Sequence, residues 1–334
     1  MEKLTKKEIS RIINNNYKID KIINIEEINR GTADIYIIKT KSNKFLFKYF
    51  QDKYTQIEIE KEINIINFLN KRGIPTPKYV ATMDNDFSIV YKNRVVILQE
   101  FIEGTTKDKN LGNEKEMLDS AMYLGKIVQA LEKYDHNIEF KPSDWFEFNP
   151  DKIIPKYEEL LNNIISDDIN ASQVRKDLNK RIEIINNLRL LDMSDFDKTS
   201  IKFSHGDYSV MQFIYKNDEI IAILDFVSAC NMPIVWEIIR SYSYIDKECV
   251  DGVFNIDNLV KYVKEFQKYV LLNKNDLKYM PHIYLVQLIK STFGYKQYLL
   301  NGNEDLLEFG ILRTKMCVYL YEHAEEISNM LLEE

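Results

Sequence analysis

Over the first hundred residues, apolar positions recur in short β-branched and aromatic runs. Asp34 to Thr40 (DIYIIKT) and Lys44 to Phe50 (KFLFKYF) flank Lys41, Ser42 and Asn43, which predicts an antiparallel hairpin. Phe87 to Tyr91 and Val95 to Phe101 repeat the pattern around Lys92, Asn93 and Arg94. Between the hairpins, Ile59, Ile63, Ile66 and Leu69 recur at helical spacing, predicting an amphipathic helix from Thr55 to Lys71 that Gly73 and Pro75 stop. The expected order is strand, strand, helix, strand, strand.

After Glu103 and Gly104 the period lengthens. Glu114 to Tyr134, Pro150 to Ile165, Ser172 to Leu191, Ile256 to Leu272, Lys278 to Leu300 and Asp305 to Leu332 all read as helical. Only Ile201 to Phe226 interrupts them, with two short apolar runs around Lys216, Asn217, Asp218 and Glu219. The chain therefore reads as an α+β protein: residues 1–103 a small antiparallel sheet lobe with one helix, residues 104–334 a larger, mainly helical lobe.

Composition narrows the function. Of 334 residues, 45 % are hydrophobic and 29 % charged, which suits a globular chain able to bury a sizeable core. Lys and Arg number 45 against 52 Asp and Glu, a formal charge of -7, so no excess of cation is available for a nucleic-acid backbone. Cys230, Cys249 and Cys317 are widely spaced and form no CxxC pair, which fits a reducing cytoplasm better than a disulfide framework or zinc site. Neither a signal peptide nor an apolar stretch long enough to span a membrane is found.

The segment FSHGDYSVMQFIYKNDEIIAILDF, residues 203–226, carries the densest chemistry. A hairpin loop centred between Asp218 and Glu219 would set Gln212 opposite Asp225, bringing an amide oxygen and a carboxylate together around a hard cation such as Mg²⁺. A shifted loop would leave the pair diagonal but still close. Asp207, in the loop before the hairpin, is placed to take a proton from an incoming hydroxyl while a cation neutralises phosphate oxygens. Lys48 shares its strand face with Leu46 and Phe50, an apolar setting in which its charge needs an anion. His205 reads as a structural hydrogen bonder, and His136, His282 and His323 have no metal-ligand spacing.

HGDYSVMQ followed by ILDF resembles the HGDxxxxN and (I/L)DF pair of the aminoglycoside phosphotransferase and choline kinase-like superfamily. That resemblance covers nearly the whole chain and implies a bilobal protein-kinase-like fold, with a hinge at about 99–104, a catalytic loop at 203–212 and a metal-binding hairpin at 212–226. It implies Asp207 as catalytic base, Gln212 and Asp225 as metal ligands with Gln in place of the usual Asn, and Lys48 on the nucleotide phosphates, held by Glu62. It further implies a shortened phosphate loop containing Gly31 and Thr32, and backbone groups near Glu100 and Ile102 reading the base. Trp236 and Glu237 resemble the helix start after the metal strand, with Glu237 anchoring the catalytic loop.

The implied activity is transfer of phosphate from ATP or GTP, with Mg²⁺, to the hydroxyl of an amino sugar, amino alcohol or hydroxy amino acid, by a monomer or homodimer. Few residues separate Asp225 from Trp236, and Asp225-Phe226-Val227 lacks the glycine of a DFG switch, both of which favour a small acceptor over a protein. Asp144 and Trp145, with Phe146 and Glu147, and Tyr242, Tyr244 and Asp246 offer acidic and aromatic groups to a cationic or sugar-like acceptor. The competing expectation, prompted by Gln212, is a catalytically weak or inactive kinase-fold assembly protein of the spore-coat type.

Overall fold

A Thr5–Glu8 capping box starts the first helix, α1 (Lys6–Asn16), and the apolar stripe Ile9, Ile12, Ile13 lays it on a sheet. The computed structural model describes residues 3–28 and 33–333. The sheet contains β1 (Ile22–Ile28), β2 (Ala33–Thr40), β3 (Lys44–Phe50), β4 (Ser88–Tyr91) and β5 (Arg94–Glu100), all antiparallel, in the order β1-β2-β3-β5-β4. Helix α2 (Gln56–Asn70) connects β3 to β4 behind its own Thr55–Glu58 capping box. Helix α1 and strand β1 add to the expected elements; a Thr-x-x-Glu box signals α1, whereas IINIEEI has no strict alternation to mark β1.

The two faces of the sheet differ. Tyr36, Ile38, Phe45, Phe47, Tyr49, Val96 and Leu98 point to one side and form a core with α1. Opposed pairs Ile35–Lys48, Ile37–Leu46, Lys48–Ile97 and Leu46–Gln99 share the other face, since directly paired residues project to the same side. Val95 and Ile97 on that side join α2 in the larger core, while Ile35, Ile37 and Leu46 remain half-buried.

The larger lobe contains α3 (Glu114–Leu131), α4 (Pro142–Phe146), α5 (Pro150–Asn162), α6 (Ile169–Asn187), α7 (Ile234–Ile245), α8 (Ile256–Gln267), α9 (Lys274–Lys290), α10 (Phe293–Asn301) and α11 (Glu304–Glu333). Two small ribbons lie among them: β6 (Ile201–Ser204) paired with β9 (Cys230–Pro233), and β7 (Phe213–Lys216) paired with β8 (Glu219–Ile223). The helix expected over 278–300 is two helices, broken at Ser291 and Thr292, where Arg181 donates 3.0 Å to the Ser291 carbonyl. A remote partner for that carbonyl substitutes for a continued helical ladder. None of the described helices is long and apolar enough to cross a membrane.

The lobes are joined by a backbone bond, Ile223 N–H to Pro75 O at 2.8 Å, and by Lys61 of α2, whose Nζ donates 2.9 Å to Ala229 O.

Candidate active site

The β7–β8 turn is built on Asn217 and Asp218, both at positive φ (52° and 58°), the conformation of a type I′ hairpin. Lys216 therefore pairs with Glu219, and a bulge between Ile214 and Tyr215 brings Phe213 opposite Ile223. This corrects the expected register. Leu224 N–H donates 2.9 Å to Gln212 O, so Leu224 faces Gln212 and Asp225 stands diagonal to it. Asp225 adopts φ 64°, a left-handed conformation that Asp tolerates better than most residues and that turns the chain out of the ladder.

The loop carrying Asp207 is fixed from beneath. Glu237, fully buried near the start of α7, accepts the Gly206 N–H at 2.7 Å and the Tyr208 N–H at 3.2 Å on a single oxygen. Burial pushes its carboxyl above the ordinary value. Gly206 is required here: φ is +86° and a Cβ would lie 1.9 Å from Ser228 O. Tyr208 OH donates 2.8 Å to Ser120 O on α3. His205 is buried, its Nε2 2.8 Å from Leu224 O and its Nδ1 3.3 Å from the Asp207 N–H. Those partners suit a neutral ring with its hydrogen on Nε2, and burial lowers its pKa to about 4.

Both carboxylate oxygens of Asp207 are engaged. Gln212 Nε2 donates 3.2 Å to Oδ2, and Arg240 of α7 donates from Nη2 to Oδ1. Arg240 also donates 3.0 Å to Tyr208 O, and its guanidinium lies 5.3 Å from the Trp236 ring centre and 5.2 Å from that of Tyr244. Sequence reasoning missed Arg240. A basic residue in IVWEIIRSY carries no motif of its own, and only the packing of α7 under the loop gives it a role.

Lys48 on β3 and Glu62 on α2 are electrostatic neighbours in the small lobe. Glu62 is 6 % exposed among Ile59, Ile63 and Ile66 of α2. Burial raises its carboxyl pKa, while the Lys48 ammonium draws it down and Asp225 raises it further. Asp225 opens into the cleft, where desolvation by the surrounding walls raises its carboxyl pKa, Lys48 lowers it and Asp207 raises it. Lys48, Glu62, Asp225 and Asp207 thus form one electrostatic cluster across both lobes. No direct Lys48–Glu62 ion pair occurs among the described residues; the ammonium is an electrostatic neighbour of both Glu62 and Asp225.

The other expected residues divide. Gly31 and Thr32 lie outside the described residues. At the hinge, Glu100 N–H is committed to Lys78 O at 2.8 Å, which leaves its carbonyl and the Ile102 N–H as the backbone groups for a base. Trp145 packs edge-on against Trp236 at 5.1 Å, with its carbonyl accepting 2.7 Å from Gln287, and the adjacent Asp144 carbonyl accepts 2.8 Å from Lys290. This ties α4 to the ring beside Arg240. Tyr242 and Asp246 are instead buried and joined to one another at 2.8 Å, and Asp246 also accepts 3.1 Å from Asn258. Their polar groups are consumed inside the lobe and stand apart from Asp207, a correction that follows from Tyr242 lying on the inner face of α7. A separate groove of about 660 Å³ between α6, α11 and residues 251–253 shares none of these residues.

A sequence profile described as the phosphotransferase enzyme family matches residues 24–255, which span the hairpin, the Asp207 loop and the Glu237 anchor. The chain belongs to the phosphotransferase enzyme family. As a member it is a small-molecule kinase, and its architecture is the kinase-like fold of the family. Among solved structures, an aminoglycoside phosphotransferase from Alicyclobacillus acidocaldarius is similar, with 12% identity, TM-score 0.63 and 98% of each chain covered. A microcompartment-associated aminopropanol kinase has 10% identity, TM-score 0.62 and 97% of this chain and 99% of that one covered. An AMP-bound spectinomycin phosphotransferase has 18% identity, TM-score 0.60, and 98% and 99% covered.

Proposed function

We propose that this phosphotransferase moves the γ-phosphoryl group of a purine nucleoside triphosphate to a hydroxyl of a small molecule, an amino sugar, amino alcohol or hydroxy amino acid, with Mg²⁺. The observation that carries the reading is the convergence of Asp207, Gln212 and Asp225 from one lobe with Lys48 and Glu62 from the other. The aminopropanol and aminoglycoside enzymes of similar fold support the acceptor class, and the AMP in the spectinomycin enzyme supports the nucleotide.

In this reading the base lies against Ile35, Ile37 and Leu46, with the hinge backbone at its edge. Lys48, balanced between Glu62 and Asp225, turns its charge to the phosphates. The donor set fits a hard cation: Gln212 uses Nε2 on Asp207 and retains Oε1, and Asp225 offers a carboxylate that is exposed in the cleft. Held there, Mg²⁺ supplies charge neutralisation on the phosphate oxygens. Gln212 and Asp225 would hold the cation, and so small a protein donor set would suit an ion that retains much of its hydration.

Asp207 accepts the acceptor's proton as the hydroxyl oxygen attacks. Arg240 and Gln212 hold the carboxylate in place, and each oxygen retains a further lone pair for that hydroxyl. Trp145, Trp236 and the Arg240 guanidinium form the wall nearest Asp207 and are assigned to the acceptor side; Tyr242 and Asp246 are not. A nucleotide-consumption screen against amino sugars, amino alcohols and hydroxy amino acids tests the proposal. Turnover on one class supports it. Absence of any thermal shift with millimolar ATP and Mg²⁺ would instead favour the assembly-protein reading, since saturating ligand must stabilise the fold it binds.

A further inference from the structure

Gln99 sits on β5 directly before the hinge residue Glu100, paired with Leu46, on the sheet face shared by Lys48 and Ile97. It is 4% exposed, and its Oε1 is buried without a hydrogen-bond partner. On the β2–β3 side of this face its neighbours are the aliphatic Ile35, Ile37 and Leu46, with Ile97 before it on β5 and Ser88 opposite Ile97 on β4. On the opposite edge of β5, Gln99 is bridged by Tyr79, whose phenol is an electrostatic neighbour of Glu62 and Asp225. A polar amide in an apolar wall, with its acceptor unsatisfied, is costly unless a ligand completes it.

We infer that Gln99 reads the Hoogsteen edge of the donor's base and makes that donor an adenine nucleotide. The inference rests on the phosphotransferase reading, in which the hinge backbone takes the Watson–Crick edge. A purine held in that way presents its 6-substituent and N7 to the strand residue before the hinge. Adenine offers there an N6–H donor beside the N7 acceptor, the complement of a carboxamide, which pairs with both. Guanine and hypoxanthine offer O6 and N7, two acceptors. Whichever way the amide is turned, Nε2 satisfies one of them and Oε1 faces the other, so the buried oxygen stays unpaired.

The experiment is calorimetric titration of the full chain with ATP, ITP and 7-deaza-ATP in Mg²⁺, repeated on Gln99→Met, which keeps the length of the side chain without the amide. ATP is expected to bind at least about tenfold more tightly than ITP, with 7-deaza-ATP between them, the size of effect a bidentate amide–adenine pair produces. Gln99→Met is expected to weaken ATP about tenfold and leave ITP unchanged, so that the gap narrows to what the hinge's own Watson–Crick contacts retain. Equal binding of ATP and ITP by the natural chain overturns the inference, as does a Gln99→Met variant that keeps the full gap. Should the variant fail to fold, the natural chain decides through its three nucleotides: equal affinity for ATP and 7-deaza-ATP overturns the N7 contact. Binding of none of the nucleotides overturns the phosphotransferase reading itself, an outcome distinct from equal binding.

Discussion

Gln212 donates its amide hydrogen to Oδ2 of Asp207 across 3.2 Å, so the proposed base and a proposed metal ligand are coupled through one side chain. Glutamine at this position is compatible with both tasks because its amide has separate donor and acceptor ends. The Asn217–Asp218 turn and the extra residue of β8, Ile221, place Asp225 diagonal to Gln212.

Asp207→Asn should lower turnover by about 10²-fold or more while nucleotide affinity stays close to that of the natural chain, the expected loss for a general base. Steady-state kinetics with the acceptor found by screening, paired with nucleotide titration, checks this. Unchanged turnover would remove Asp207 from the mechanism.

Asp225→Ala should abolish the Mg²⁺-dependent part of nucleotide binding, because the cleft then has only the Gln212 amide for the cation. Titration with and without Mg²⁺ measures it. An affinity unaffected by the substitution contradicts the metal assignment.

Arg240→Met removes the partner of Asp207 Oδ1 and of Tyr208 O. Arg240 is mostly buried, at 14% side-chain exposure, whereas Asp207 is 41% exposed, so the loss of stability should be on the order of 2 kcal/mol and not the full cost of a buried unpaired charge. The kinetic signature is a fall in kcat with nucleotide KM retained. Chemical denaturation and kinetics on the same variant separate the two effects.

His205 predicts an acid-side loss of stability. Its folded pKa is about 4 against an ordinary 6.5, so below pH 6.5 the unfolded chain binds a proton that the folded chain refuses until near pH 4. Stability from this group is complete above 6.5 and declines as pH falls through that window, by about 3 kcal/mol in total. The raised carboxyls of Glu62, Asp225 and Glu237 act in the opposite sense, since the folded chain binds their protons first. The His205 contribution is therefore read as the difference between the natural chain and His205→Asn, with denaturation at pH 7 and pH 5: the variant should lose less stability on acidification. An identical pH response in both would refute the neutral buried ring.

Local pattern carried far into the fold. Strand alternation located β2 to β5, and the three- and four-residue spacing of Ile59, Ile63, Ile66 and Leu69 located α2 with Glu62 on it. The HGD and LDF segments located Asp207 and Asp225 because short loops and hairpins fix their own residues with little help from the rest of the chain. A Thr-x-x-Glu box before α1 was equally local and was passed over.

What the sequence determined by itself is the set of elements and the identity of the chemically active side chains, because periodicity and turn chemistry act over a few residues. Which of those side chains meet was decided by tertiary packing. The hairpin register turns on a bulge whose position no periodicity marks. The burial of Tyr242 and Asp246 depends on which face α7 turns inward, and Arg240 reaches Asp207 only because that helix packs beneath the catalytic loop. Contacts between residues distant along the chain depend on how whole elements bury their apolar faces against each other, a collective choice that no single stretch of sequence records.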